Sequence, residues 1–256
     1  MTKKIKIIKM NVDVITVSGL LASIKNFVGR KVGAYVCLSN VHMCMEVNDS
    51  EDFENVINHA DIVVADGRPI FWAQILLGSK TASQVRGIDL MKALCMLASQ
   101  NNFNVGLYGG YSNNVLDDLK SILRNSYPRL NISYAFSPPF RDLENKEKSE
   151  NRKKIESCEV DILFVGIGCP KQEFWMASNK DELKCVMVGV GAAFDFIVGN
   201  KRQAPRWVQY FGLEWLSRLI SEPKRLWRRY LIQNTRFIFY FIRQLIVINF
   251  KKFIKV

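Results

Sequence analysis

Asp161-Ile162-Leu163-Phe164-Val165-Gly166-Ile167-Gly168-Cys169-Pro170-Lys171-Gln172-Glu173 is the stretch on which the fold turns. The apolar run 162–165 is short, rich in β-formers and unbroken by polar residues, which describes a strand buried on both faces. Glycines then allow the backbone N–H groups to approach a phosphate or a sugar, and the helix start that follows favours an anion. A plain strand-to-helix turn fits the same residues equally well. Outward from this stretch, similar runs recur at 34–38, 62–65, 104–108, 132–136 and 186–190. Amphipathic stretches at 53–59, 88–99, 113–125 and 146–157 lie between them. Strands alternating with helices predict an α/β fold, a Rossmann-like, mostly parallel sheet with helices on both faces.

Ligands of such sheets bind where the carboxyl ends of strands meet helix N-termini. The unusual residues of this chain fall there. Asn40 and His42 follow the first run, Asp66-Gly67 the second and Gly109-Gly110 the third. Gly166, Gly168, Pro170 and Lys171 follow the fifth, and Gly191 and Asp195 the sixth. Asp66 has two readings. It can project into a cleft and accept a proton from a substrate hydroxyl, or it can cap the next helix. Gly189-Val190-Gly191-Ala192-Ala193-Phe194 lacks the third glycine of the dinucleotide fingerprint, which weighs against a nucleotide-dependent oxidoreductase.

The charge is uneven. Residues 201–256 carry 13 Lys or Arg and two acids, Glu214 and Glu222, so nearly all of the +12 net charge sits in this tail. The same tail is rich in Trp, Phe, Ile and Leu. A surface both basic and apolar suits an anionic membrane face better than nucleic acid, although a nucleic-acid-binding module is the competing class. The reading divides the chain into a catalytic unit, 1–200, and a basic amphipathic helical appendage, 201–256. Helices are expected at 207–220 and 223–254, with Pro223 opening the second. Arg202, Arg206, Arg218, Arg225, Arg228 and Arg229 are candidates to clamp phosphate, or else a solvated basic surface. No apolar segment is long enough to span a bilayer, and no signal peptide is evident. The six Cys show no metal-type spacing and read as reduced thiols of a cytosolic protein. With only two His, His42 and His59, a multi-His metal site is excluded, and His59 reads as a surface or capping residue. There is no D-x-D pair, nucleophile elbow or Walker loop.

Taken in order, several segments resemble the WecG/TagA/CpsF glycosyltransferases. They are Ser39-Asn40-Val41-His42, Ala65-Asp66-Gly67, Val85-Arg86-Gly87-Ile88-Asp89-Leu90 and Ser137-Pro138-Pro139-Phe140. Gly168-Cys169-Pro170-Lys171-Gln172-Glu173 and Gly189-Val190-Gly191-Ala192-Ala193-Phe194-Asp195 follow, and then the run from Arg202-Gln203-Ala204-Pro205 to Arg228-Arg229-Tyr230. The resemblance implies an inverting hexosyltransferase at the cytoplasmic face of the membrane. It would act in surface-polysaccharide or teichoic-acid assembly, moving a hexose or N-acetylhexosamine from a UDP-sugar to a polyprenyl-diphosphate-linked sugar. It implies Asp66 as general base, and Asn40, Arg86 and Gln172 as shapers of the sugar pocket. Arg218, Arg225 and Arg228 would neutralise diphosphate. The nucleotide would lie along Gly109, Gly110, Gly166, Gly168, Lys171, Gly191 and Asp195. No metal or other cofactor is expected, because Arg donors can stabilise departing UDP. Leu38 stands where members acting on N-acetylmannosamine often carry Thr. That leaves the hexose open and makes His42 the candidate polar group in its place.

Overall fold

The computed structural model describes residues 2–254. The chain begins with an antiparallel hairpin, β1 (Lys4–Ile7) and β2 (Met10–Asp13), and a helix, α1 (Val17–Arg30). Six strands then alternate with helices: β3 (Ala34–Ser39), α2 (Val41–Asp49), α3 (Glu51–Asn58), β4 (Ile62–Ala65), α4 (Arg68–Leu76), α5 (Gly87–Asn101), β5 (Asn104–Gly109), α6 (Asn113–Ser126), β6 (Asn131–Phe136), α7 (Asn145–Ser157), β7 (Ile162–Gly166), α8 (Lys171–Asn179), β8 (Val186–Gly189) and α9 (Ala193–Val198). The six strands form one sheet in the order β4-β3-β8-β7-β5-β6, every neighbouring pair parallel. Each apolar run in the sequence is one of these strands.

Alternate side chains along the strands feed two cores, one on each face. Tyr35, Cys37, Val63, Leu163, Val165 and Met187 face the hairpin, α2, α3 and α8. Val36, Leu38, Ile62, Val64, Phe164 and Val188 face α1, α5, α6 and α9. Burying a side chain such as Phe164 contributes about 1.5–3 kcal/mol. Because both faces are covered, the functional groups are left at the strand ends. β4 is an edge strand, and its Val63 N–H would be unpaired on the outer side. The buried Asp13 of β2 accepts that N–H at 2.8 Å, which fastens the hairpin to the sheet.

Several elements were not evident from periodicity. α2 is only nine residues long and is buried at Val41, Met43, Cys44, Met45 and Val47, so its polar stripe of His42, Glu46 and Asp49 is too short to stand out. The tail also differs from expectation. The stretch read as one helix, 207–220, is two, α10 (Arg206–Tyr210) and α11 (Glu214–Ser221). Gly212 breaks it with φ +70°, and a Cβ there would lie 2.5 Å from the Trp72 ring of α4. Then come α12 (Pro223–Trp227), a π-helical turn Arg228–Ile232 and α13 (Gln233–Ile254).

α13 buries Phe237 and Phe241 in the core on the α2 side. Arg236 donates to both carboxylate oxygens of Asp49, at 2.7 and 2.5 Å. Gln244 accepts from Ile8 N and donates to Lys6 O, both at 2.8 Å. Its opposite face exposes Ile238, Phe239, Ile242, Ile246 and Phe250. No described helix is long and apolar enough to cross a membrane.

Candidate active site

The carboxyl ends of β3, β4, β7 and β8 open into a cleft of about 490 Å³, roofed by α11 and α12. At the end of β3, the buried Ser39 donates its Oγ–H to Val64 O at 2.7 Å. Its carbonyl accepts from Asp66 N and Gly67 N at 2.9 and 3.1 Å, so the loop after β4 is held against the end of β3. Asn40 is spent partly on capping: its Oδ1 accepts from Met43 N at 3.2 Å. Gly67 packs on it so closely that a Cβ would lie 3.2 Å from Asn40 Cβ.

Asp66 does not cap the helix that follows it. The N-cap of α4 is Gly67, and no side chain bonds there. Asp66 Oδ1 instead accepts from Gly87 N, the first residue of α5, at 3.0 Å. Gln84 donates to the Asp66 carbonyl at 2.6 Å. Burial pushes the Asp66 carboxyl up to about 6. Arg218, the Gly87 N–H and Arg86 pull it down, and Glu214 pushes it further up. A carboxylate poised there takes a proton at neutral pH better than an ordinary aspartate.

Around Asp66 the structure assembles residues far apart in sequence. Arg86, the N-cap of α5, hydrogen-bonds Gln209 Oε1 and lies 3.5 Å from Glu214. Arg218 lies 3.1 Å from Glu214 and stacks over the Phe196 ring at 4.8 Å. Arg225 bonds Glu222, whose carboxyl it holds below the usual range. Lys201 bridges Asp195 at 3.0 Å and Glu222 at 3.6 Å. On the β7 side, Gln172 is 4% exposed. Its Nε2 donates to Glu173 at 2.5 Å, and its Oε1 has no hydrogen-bond partner among the described residues. Such a buried acceptor in a cleft wall suits a hydroxyl or amide donor of a ligand. Leu38 also lines this cleft.

Two further cavities flank it. One of about 760 Å³ lies at the ends of β5, β6 and β7. It is lined by Gly110, Gly166, Lys171, Gly191 and Asp195, by the stacked pair Tyr108 and Trp175, and by Phe140. Gly191 belongs to both this cavity and the cleft, whereas Gly168 faces only the cleft. Gly109 lines neither. Its φ of +141° and its closeness to Gly166 set the ends of β5 and β7 side by side. The other cavity, about 110 Å³, holds His42, Trp215 and Asn234 and shares Asn40, Asp66, Glu214, Arg218 and Tyr230 with the cleft. His42 lies 3.5 Å from Glu46, one turn along α2. Asp66 and Arg218 are therefore approached from two sides.

Of the sequence candidates, Asp66, Asn40, Arg86, Gln172, Gly168, Gly191, Arg218 and Arg225 line one cleft, and Arg202 joins them. Arg228 lines none of the three cavities and stacks on Trp227 at 5.3 Å. His59 is the exposed C-cap of α3, away from the cleft. The side chains of Arg206, Arg229, Lys251 and Lys252, and all of Lys255, lie outside the described residues. Sequence reasoning missed Lys201, Gln209, Glu214, Glu222 and Tyr230 as site residues. For the two acids a signal existed, since they are the sole acids in a tail of 13 cations.

The sequence model of the glycosyl transferase WecG/TagA/CpsF family matches residues 5–250. The chain is 30% identical over 230 residues to the N-acetylglucosaminyldiphosphoundecaprenol N-acetyl-beta-D-mannosaminyltransferase of Staphylococcus aureus strain MRSA252. It is 29% identical over 230 residues to the protein so named in strain MW2. Both alignments cover 89% of this chain and 88% of the relative.

Proposed function

The chain belongs to the WecG/TagA/CpsF glycosyltransferase family, and on that premise we propose that it transfers a hexose or N-acetylhexosamine from a UDP-sugar to a sugar carried on polyprenyl diphosphate. The relatives are named for transfer of N-acetylmannosamine to such an N-acetylglucosamine acceptor, which supports the acceptor class. The reading is a transferase, in place of the oxidoreductase and the nucleic-acid module. It rests above all on one observation. A carboxyl that burial pushes up to about 6, and that Arg218 and Arg86 pull back down, lines two adjoining cavities at once.

In this reading the nucleotide occupies the cavity at the ends of β5, β6 and β7, and its diphosphate crosses Gly166 and Gly191 toward the cleft. There the sugar meets Asn40, Arg86 and Gln172. The acceptor approaches from the small cavity that holds His42 and Trp215. Asp66 takes the proton of the acceptor hydroxyl as that oxygen bonds to the anomeric carbon. The bond from that carbon to the UDP oxygen breaks on the opposite face, with inversion, and UDP departs with the electron pair. Arg218, Arg225 and the backbone N–H groups around Gly168 and Gly191 take up the developing charge. No metal enters the sequence of steps. The outer face of α13, apolar and flanked by cations, lies on the anionic inner surface of the membrane where the acceptor resides.

Leu38 brings no hydroxyl to the cleft, so the donor sugar is the point to measure. The experiment is UDP release with UDP-N-acetylmannosamine, UDP-N-acetylglucosamine, UDP-glucose and UDP-galactose against a short polyprenyl-diphosphate sugar. No release with any of them, using acceptor shown to be intact, would refute the reading.

A further inference from the structure

The two acids of the tail both line the cleft, and each holds two cations there. Glu214 lies 3.1 Å from Arg218 and 3.5 Å from Arg86. Glu222 bonds Arg225 and lies 3.6 Å from Lys201, which Asp195 also holds at 3.0 Å. In each case one partner is an ordinary neighbour on the same helical stretch, at i,i+4 or i,i+3. The second partner comes from a remote element: Arg86 caps α5, and Lys201 sits in the loop after α9. Helix-surface pairing does not call for these second partners. All six groups line the same cavity. Each seat offers one anionic group two cations, and both seats lie in one cleft, so the pair can donate charge-assisted hydrogen bonds to phosphate oxygens.

We propose that Glu214 and Glu222 are resident anions in the cation seats of a diphosphate, and that a diphosphate ligand binds by displacing them. The proposal rests on the transferase reading above, in which donor and acceptor both carry a diphosphate. Without ligand, the two carboxylates, together with Asp195 beside Lys201, offset the repulsion among Arg86, Lys201, Arg218 and Arg225 and keep those side chains turned into the cleft. When phosphate oxygens arrive, the guanidinium and ammonium N–H groups exchange carboxylate for phosphate. The displaced carboxylates are not stranded. Glu214 is in the first turn of α11 and Glu222 is the N-cap of α12, and negative charge is favourable at helix N-termini. The structure thus assigns these acids a role opposite to that of binding residues. They hold the seats open and lower the affinity for whatever fills them.

The test is calorimetric titration of wild type, Glu214→Gln and Glu222→Gln with inorganic pyrophosphate, UDP and farnesyl diphosphate. Glutamine keeps size and shape while removing the competing charge. Each variant is expected to bind pyrophosphate about three- to tenfold more tightly, in keeping with partly exposed ion pairs. Asp49→Asn is the control. It removes an acid from Arg236 on α13, outside the cleft, and should leave every Kd unchanged. Tightening for UDP in both variants would assign the seats to the donor, and tightening for farnesyl diphosphate in both would assign them to the acceptor; tightening for UDP in one and farnesyl diphosphate in the other would overturn a shared diphosphate seat. Equal or weaker pyrophosphate binding in both variants overturns the proposal, as does equal tightening in Asp49→Asn, which would reflect net charge alone. If wild type and variants bind none of the three probes, the diphosphate reading of the cleft falls as well. The two substitutions are independent, so loss of folding in one, seen by circular dichroism, leaves the other to decide.

Discussion

Replacing Asp66 by Asn should reduce activity and raise stability, both through the same carboxyl. Asn keeps an oxygen for the Gly87 N–H but can neither ionise nor accept a proton. As the general base, Asp66 contributes about 10²–10⁴ in rate, so kcat/KM for an intact acceptor should fall by that factor. The wild-type profile should fall on the acid side, with its midpoint about pH 6. The residual activity of Asp66→Asn should lack that limb.

The stability sign follows from the direction of the shift. In the folded protein the carboxyl titrates at about 6, against an ordinary value of 3.8, so the folded state holds its proton more tightly. Its favourable contribution is complete below the unfolded value and is lost as pH rises through the folded one. At 1.36 kcal/mol per pH unit, the ionised carboxylate costs at most ~3 kcal/mol above pH 6. Asn resembles the neutral acid. At pH 8 the variant should therefore melt higher than wild type, by up to roughly 10 °C for a chain of this size. The gap should close as pH falls toward 4. Differential scanning calorimetry from pH 4 to 8 measures it. A variant with full transfer, or one destabilised equally at every pH, would refute the reasoning. The second outcome would make Asp66 a structural residue whose hydrogen bonds matter more than its charge.

Gly212→Ala forces a side chain into the Trp72 ring at a left-handed position. It should displace α11 and lower kcat/KM about 10–100-fold while far-UV circular dichroism is preserved. A shift confined to thermal stability would count against α11 as part of the site. The exposed face of α13 is better tested by substitution than by truncation, because loss of Phe237 and Phe241 would cost about 3–5 kcal/mol each. Ile238→Ser, Phe239→Ser and Ile242→Ser together should abolish flotation with phosphatidylglycerol vesicles and spare turnover of a soluble acceptor analogue. Retained flotation would place the membrane contact elsewhere. Transfer should continue unchanged in EDTA, and a loss restored by Mg²⁺ would show that the Arg residues are not the sole partners of UDP.

The strands were legible because each is buried on both faces, which leaves a short unbroken apolar run with glycine or a polar residue at its end. Asn40, Asp66 and the glycines were legible because a parallel sheet presents its loops at one edge. α2 was not, since a nine-residue helix with five buried apolar positions shows too short a polar stripe to mark a period. The division of the tail at Gly212 was hidden as well: its cause is Trp72, on another helix. Arg228 shared a motif with Arg225 and still turned onto Trp227; α12 ends at Trp227 and the π-helical turn begins at Arg228, a change of winding that the motif does not display.

The order of side chains alone determined the α/β sheet, the edge that bears the chemistry and the concentration of positive charge after residue 200. These depend on short-range periodicity and composition, which a linear chain displays directly. Only the tertiary structure decided that burial pushes the Asp66 carboxyl up to about 6, that Arg86 and Arg218 share Glu214, and that α13 buries one apolar face while exposing the other. Each depends on burial or on a charge delivered from a remote segment. Desolvation and Coulomb interaction act through space, and distance along the chain does not measure them.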